Sequence, residues 1–536
     1  TMKRKVCLSM LILSMAFGTT VYAAEADNAA PVVDVTGGTI QGYVDENGVK
    51  TFKGIPFAAT TEGENRFKAP QPVENWEGVR ECTEYGPIAM QAAPNAFGPW
   101  TEEYVDAGKT YENGEMSEDC LNLNVWTTAE AGEKKPVIVY IHGGGNSSGS
   151  GECEIYTGED IAQKGVVYVS INYRVGLFGF LAYKDSTGEE VTGNLGIQDQ
   201  IAALKWVKEN IAEFGGDPDN ITIAGQSAGS SNCQTLITSP AAEGLFQKAV
   251  CMSFTPNDGV PASLEEAEAA AAEKLGDVTL EDLRSMSSKE VQELTATYNP
   301  TSTCIDDTIV TQGRAEAFAN GDYNKVDLMW GGVTGDTSLF GTLQIPDDDG
   351  NPFTPVLSLT PDQYKTAVQD SFGEKAERCM ELYPVDETKD NVIDATGVIN
   401  EDGLLARYYN ASVQKDTVDP DHKTYVYYFS HPVADTEERM AENGAFHTGD
   451  VGYWLNHFTT TYERPWQQED YDLGEVMSSY LVNFASTSDP NGTDSNGNAL
   501  PEWKDIAQTD GISYMSFDTD AEWTTMDADK SEFWTE

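Results

Sequence analysis

The chain has 536 residues, with 88 Asp and Glu against 33 Lys and Arg, for a formal net charge of −55. A chain this acidic, with no basic stripe, cannot neutralise a phosphate backbone, which excludes nucleic acid as a partner. Disorder is excluded too, because 40% of the residues are apolar and 10% aromatic, and the acids are spread thinly, with Asp347–Asp349 among the longest runs.

At the amino end, Lys3, Arg4 and Lys5 precede an apolar run from Val6 to Phe17, and the small-residue pattern Val21-Tyr22-Ala23-Ala24 follows. That arrangement predicts a secretory signal peptide over residues 1–24, cut near Ala23 or Ala24, and a secreted or periplasmic mature protein. The run is well short of the ~20 residues that cross a bilayer, and no later stretch is longer, so no membrane span is expected. Loss of residues 1–24 removes three basic and no acidic groups, taking the net charge from −55 to −58. Residues 25–536 show no internal repeat and no Pro- or Ser-rich linker, and read as a single domain. Seven cysteines remain in them, Cys82, Cys120, Cys153, Cys233, Cys251, Cys304 and Cys379, an odd number that does not make a disulfide scaffold. No pair has metal-ligand spacing and there are five His, so no metal is expected; polar Gly492–Leu500 lacks the spacing of a calcium loop.

Further along, strands and helices alternate. Pro136–Ile141 and Val166–Tyr173 are short β-branched runs that predict buried strands. Ile197, Ile201, Leu204, Val207, Ile211 and Phe214 recur at spacings of three and four, an amphipathic helix. Asp217-Pro218-Asp219-Asn220 predicts a turn, Ile221–Ala224 the next strand, and Ala249–Met252, Val326–Trp330, Tyr425–Phe429 and Ile512–Phe517 later ones. The pattern implies an α/β fold with a mostly parallel sheet, helices on both faces, and reactive groups at the carboxyl ends of strands.

Gly225-Gln226-Ser227-Ala228-Gly229 follows such a strand and opens a helix. A Gly-x-Ser-x-Gly turn in that setting is strained and crowded, which lifts the serine oxygen out of the sheet. His142-Gly143-Gly144-Gly145 ends an earlier strand, and its bare backbone can aim N–H groups at a developing oxyanion, with Gly144, Gly145 and Ala228 as the donors. Serine needs a base, and the base an orienting acid, in the chain order Ser, acid, His. Four His follow Ser227: His422 and His431 bracket a strand, His457 precedes Phe458, and His447 lies in the small-residue loop Gly444–Asp450, the favoured position. For the acid, Asp336 lies just past the strand Val326–Trp330 and a Gly331-Gly332 turn, whereas Asp306 and Asp307 precede that strand.

The motifs together resemble the type-B carboxylesterase family, which has the α/β-hydrolase fold, over about Thr39 to Trp503. The matching stretches include Gly54-Ile55-Pro56-Phe57-Ala58, Arg66-Phe67, Glu118 through Val125, Asn172-Tyr173-Arg174-Val175-Gly176, Gly193 through Gln200, Phe484-Ala485 and Asp489-Pro490-Asn491. The resemblance implies Asp336 as acid, His447 as base, and two buried structural ion pairs, Arg66 with Glu118 and Arg174 with Asp199. It implies hydrolysis of a small-molecule carboxylic ester through an acyl-enzyme, without a cofactor. Oligomeric state stays open. The same triad could serve amides, thioesters or lactones, and some adhesion members of the family have lost the triad altogether.

Several positions depart from the family. Ala89 stands where the partner of Cys120 is usual, leaving a disulfide only if Cys82 substitutes. Asn146 replaces an aromatic after the glycine triplet, implying a more polar acyl side. Gln226 replaces a common Glu and no choline-binding Trp aligns, which speaks against a cholinesterase; Asp336 replaces a Glu, so the acid's backbone must approach His447 more closely. Pocket walls are expected from the loops Met90–Ser117 and Gly341–Thr354, with Asn146, Trp100, Phe254 and Trp454 as candidates.

Overall fold

The apolar runs become the strands of one eleven-stranded sheet in the computed structural model, which describes residues 29–255, 259–343, 359–388, 392–459 and 461–536. The predicted signal peptide and most of the loop Gly341–Thr354 lie outside the described residues.

In chain order the strands are β1 (Tyr43–Val44), β2 (Lys50–Pro56), β3 (Asn122–Thr127), β4 (Lys135–Ile141), β5 (Val167–Ile171), β6 (Gly216–Gln226), β7 (Lys248–Met252), β8 (Asp327–Val333), β9 (Thr424–Phe429), β10 (Ser513–Phe517) and β11 (Ala521–Thr525). Their spatial order is β1-β2-β3-β5-β4-β6-β7-β8-β9-β10-β11. All pairings from β5 through β10 are parallel, while those of β1, β2, β3 and β11 are antiparallel.

Why unbroken apolar runs form these strands is visible in where alternate side chains go. Val137, Val139, Ile141, Ile221, Ile223 and Cys251 enter one core, with Ile201, Leu204 and Val207 of helix α1 (Leu195–Asn210) and Cys233 and Leu236 of α2 (Ala228–Thr238). Ile138, Tyr140, Ala224, Val250 and Met329 enter a second core on the other face, with Met477, Leu481 and Phe484 of α3 (Gln468–Thr487). A strand buried on both faces has no polar side to show, so alternation disappears from its sequence.

Two predicted elements differ in detail. The helix starts at Leu195 and tightens into a 3-10 turn over Ile211–Phe214, stopped by Gly215 at φ +83°. The turn at Asp217–Asn220 is real, with the Asp219 N–H on Asp217 Oδ1 at 3.0 Å, but it sits inside β6 as a register shift between Gly216 and Ile221 rather than before the strand.

Candidate active site

The segments that follow β4, β6, β8 and β9 in the chain meet at one cavity. Ser227 follows β6 directly, at φ 58° and ψ −124°, a strained conformation for any residue with a Cβ. Its N–H donates to the Met252 carbonyl at the end of β7, 2.9 Å away. The flanking glycines are required by space: a Cβ on Gly225 would lie 2.5 Å from the Gly229 carbonyl oxygen, and one on Gly229 would run into the Ile141 carbonyl. The turn thus packs against the end of β4, where the glycine loop begins.

In that loop Gly144 and Gly145 take φ +102° and +62°, and a Cβ on Gly144 would collide with the Ser148 carbonyl. Gln91 clamps the loop from outside, accepting from the Gly149 N–H at 2.8 Å and donating to the Gly149 carbonyl at 3.0 Å. Among the described residues, the Gly144 and Gly145 N–H groups take no hydrogen-bond partner. His142 is not a base here. It stacks on Tyr173, donates from Nδ1 to the Gly143 carbonyl at 2.7 Å, and burial pushes its pKa down to about 4.

Asp336 ends a short 3-10 turn after β8 and is 0% exposed. Its Oδ1 lies 2.5 Å from His447 Nδ1, and its Oδ2 accepts from the Val333 N–H at 2.9 Å. The close approach that an Asp demands comes from Gly335, whose N–H donates to the Ala445 carbonyl at 2.8 Å. A Cβ there would be 2.6 Å from the His447 nitrogen. His447 Nε2 faces the serine turn and pairs with Gln226 Nε2 at 3.3 Å; with Nδ1–H on Asp336, Nε2 is the acceptor. Ser227, His447, Gln226 and Gly143–Gly145 line a cavity of about 450 Å³.

The other histidines have carboxylates of their own elsewhere: His422 with Asp419 at 2.8 Å, His431 with Asp470 at 3.0 Å, His457 with Asp160 at 2.7 Å. Asp306 is used by a turn, accepting from the N–H groups of Thr308, Ile309 and Val310.

Of the wall candidates, Trp100 lines the cavity, its Nε1 donating to the His447 carbonyl at 3.0 Å. The other three do not line it. Asn146 at φ +56° turns away into the scaffold, donating to Thr301 O at 3.0 Å and accepting from Asn232 Nδ2 at 2.9 Å, so it adds no polarity to the pocket. Phe254 packs edge-on against Phe340 and under the Arg314 guanidinium. Trp454, 0% exposed, faces the sheet against Tyr427 and Phe517.

Both ion pairs form in buried surroundings. Arg66 Nη2 meets Glu118 Oε1 at 2.5 Å, and Arg174 Nη2 meets Asp199 Oδ1 at 2.7 Å. Cys82 does not substitute in the missing disulfide: it and Cys120 are buried free thiols, and burial pushes the Cys82 thiol up to about 11.

Two acids escape sequence reasoning. Asp450, three residues after His447, is fully buried and accepts from Tyr427 Oη at 2.8 Å and Trp454 Nε1 at 3.1 Å. Burial, aided by the charge of Asp336, pushes its carboxyl up to about 6. Asp106 lines the cavity from the loop Met90–Ser117, whose irregular course offers no periodicity to read.

A serine on a strained strand-to-helix turn in a mostly parallel sheet defines an α/β-hydrolase. The profile of the Carboxylesterase family matches residues 29–534, and the chain belongs to that family of carboxylic ester hydrolases. Fumonisin B1 esterase of Sphingopyxis macrogoltabida is 34% identical over 384 residues, 69% of this chain and 65% of that protein. Para-nitrobenzyl esterase of Bacillus subtilis (strain 168) is 44% identical over 223 residues, 41% of this chain and 43% of that protein. The matches thus span less than two thirds of these two relatives. Liver carboxylesterase 1F of Rattus norvegicus is 30% identical over 571 positions, 99% of this chain and 97% of that protein. Among solved structures, carboxylesterase EST55 of Geobacillus stearothermophilus has a TM-score of 0.71 at 29% identity, covering 94% of this chain and 99% of that one. A PNB esterase has 0.70 at 26%, covering 94% and 100%. Among the described residues no helix is long and apolar enough to cross a membrane, and no cluster of His, Cys, Asp or Glu is placed to hold a metal ion.

Proposed function

We propose that this protein hydrolyses small carboxylic esters through an acyl-enzyme on Ser227, and that it does so outside the cytoplasm after removal of residues 1–24. The observation that carries the chemistry is the 2.5 Å contact of His447 with buried Asp336, in a cavity that His447 shares with the strained Ser227.

Ser227 Oγ attacks the ester carbonyl as His447 Nε2 takes its proton; Gln226 gives up that ring nitrogen when the ester binds. Asp336 holds Nδ1–H and stabilises the imidazolium that forms. The N–H groups of Gly144, Gly145 and Ala228 receive the oxyanion, which needs no reorganisation because their backbone is already fixed. Collapse of the tetrahedral intermediate passes the proton from His447 to the departing alcohol. Water, deprotonated by the same imidazole, then attacks the acyl-enzyme and releases the carboxylic acid. These steps draw on no cofactor.

The test is Ser227→Ala assayed on a short-chain nitrophenyl ester beside fluorophosphonate labelling of the wild type. Expected are stoichiometric labelling of the wild type and a loss of several powers of ten in kcat for the variant, with little change in thermal unfolding. Retention of more than about a tenth of the wild-type rate overturns the assignment.

A further inference from the structure

We infer that the paired side-chain amides of Asn146 and Asn232 position the oxyanion donors, by bolting the glycine loop to the helix that carries Ala228. The inference rests on the esterase reading above and deepens it, adding two residues that act through the loop rather than on the ester.

The donors come from two elements: Gly144 and Gly145 from the loop after β4, Ala228 from the first turn of α2. All three N–H groups must reach one oxygen at ~2.7–3.1 Å, yet a glycine triplet by itself resists displacement poorly. Asn146 is the next residue after the triplet, 7% exposed, at φ +56°. Asn232 lies one helical turn beyond Ala228 and is 1% exposed. Asn232 Nδ2 donates to Asn146 Oδ1 at 2.9 Å, and Asn146 Nδ2 returns a bond to Asn232 Oδ1 at 3.4 Å. The same Asn146 nitrogen donates to the Thr301 carbonyl at 3.0 Å. Tyr173 Oη reaches both ends of the triplet, the His142 carbonyl at 2.8 Å and Asn146 Oδ1 at 3.3 Å. The Asn146 carbonyl accepts from the Gly176 N–H at 2.6 Å.

Asn146 thus uses both amide hydrogens and both oxygen lone pairs on the scaffold and none on the cavity, which it does not line. An aromatic side chain, which the family resemblance leads one to expect at this position, could not make the tie. A buried amide network with every group satisfied holds one geometry, because any shift leaves a desolvated donor or acceptor unpaired. Movement of the loop away from α2 would spread the donors and weaken them for the oxyanion far more than for the ground-state ester. The amides therefore act on kcat and not on KM.

The experiment measures kcat, KM and thermal unfolding on a short-chain nitrophenyl ester for the wild type, Asn232→Ala, Asn146→Gly, which suits the positive φ, and the double variant. It adds inhibition by an alkyl trifluoromethyl ketone, whose adduct with Ser227 places an oxyanion in the same hole. Each single variant should lose about ten- to a hundredfold in kcat with KM within about threefold of wild type, and ketone affinity should fall by a similar factor. The double variant should lie no more than about threefold below Asn146→Gly, because the two amides act as one unit. Wild-type kcat in Asn232→Ala, whatever its melting temperature, overturns the inference, as does a loss confined to KM, an undiminished ketone affinity, or losses that multiply in the double variant. Any of these leaves the esterase reading standing. No wild-type hydrolysis, with no fluorophosphonate labelling, overturns both. Should Asn232→Ala fail to fold, Asn146→Gly decides by itself: kcat and ketone affinity must both fall at least about tenfold at unchanged KM, and a wild-type value of either overturns the inference.

Discussion

Asp450 illustrates how one carboxyl can sit behind a catalytic site at a cost to the fold. Its Oδ2 receives Tyr427 and Trp454, yet Oδ1 is buried without a partner, and Asp336 lies close enough to add its charge. With a folded pKa pushed up to about 6 from an ordinary 3.8, the native state holds its proton more tightly than the unfolded chain does. Stability then falls as pH rises from about 4 to 6, by an amount of order 3 kcal/mol for two units, and stays lowered above that. Asp450→Asn keeps an acceptor for both donors and removes the titration. It should melt at a higher temperature than the wild type at pH 8, with the advantage shrinking toward pH 4. An unchanged melting temperature at pH 8 would show that the carboxylate finds compensation. His142 shows the opposite case, a buried base kept neutral by burial even though its hydrogen bond to the Gly143 carbonyl favours the charged form.

At the scale of elements, the site is made by segments brought closer than side chains would allow. Gly335 is the contact between the acid turn and the histidine loop, and Gly335→Ala must separate them, since its Cβ would lie 2.6 Å from the His447 nitrogen and 2.8 Å from Phe446 Cα. The expected result is a fall in kcat of about a hundredfold with a smaller effect on unfolding, because displacement by about an ångström is enough to spoil proton transfer. Wild-type kcat in that variant would mean the two loops can part without losing the Asp336–His447 contact. The Arg66–Glu118 pair works on stability instead: Arg66 also donates to the Leu283 and Met286 carbonyls, and Ser288 to Glu118, so the pair ties three segments together. Glu118→Ala should cost about 3–5 kcal/mol in denaturant unfolding, because a guanidinium would be left buried without its counter-charge. Much of this architecture was legible in sequence for a physical reason. Parallel strands buried on both faces leave continuous apolar runs, and the residues after them, Ser227, Asp336 and the glycine loop, inherit their positions from the strand ends. The antiparallel strands β1 and β11 gave no such run, being short or half-exposed. Wall residues were harder still, since direction depends on local backbone: Asn146 turns inward at φ +56°, and the short helix Val451–Trp454 swings its tryptophan onto the sheet.

The whole molecule carries its charge of −55 mostly as a solvated coat, with many surface cations already paired, such as Lys289 with Glu112 and Lys365 with Glu387. A few acids are withdrawn from that coat: Glu118 and Asp199 into ion pairs, Asp336 beside His447, and Asp106 into the cavity. The coat acts on approach rather than on the bound ester, and salt tests that. A surface field repels anionic esters during approach and is screened within about 8 Å at physiological ionic strength. Added salt should therefore raise kcat/KM for an anionic ester, such as a succinate half-ester, while leaving a neutral ester of the same length nearly unchanged. The gain should appear in kcat/KM rather than in kcat, because encounter is what the field slows. In Asp106→Asn the salt response should persist, since that substitution removes one of 88 acidic residues. Equal salt responses for anionic and neutral esters would assign the coat to solubility alone.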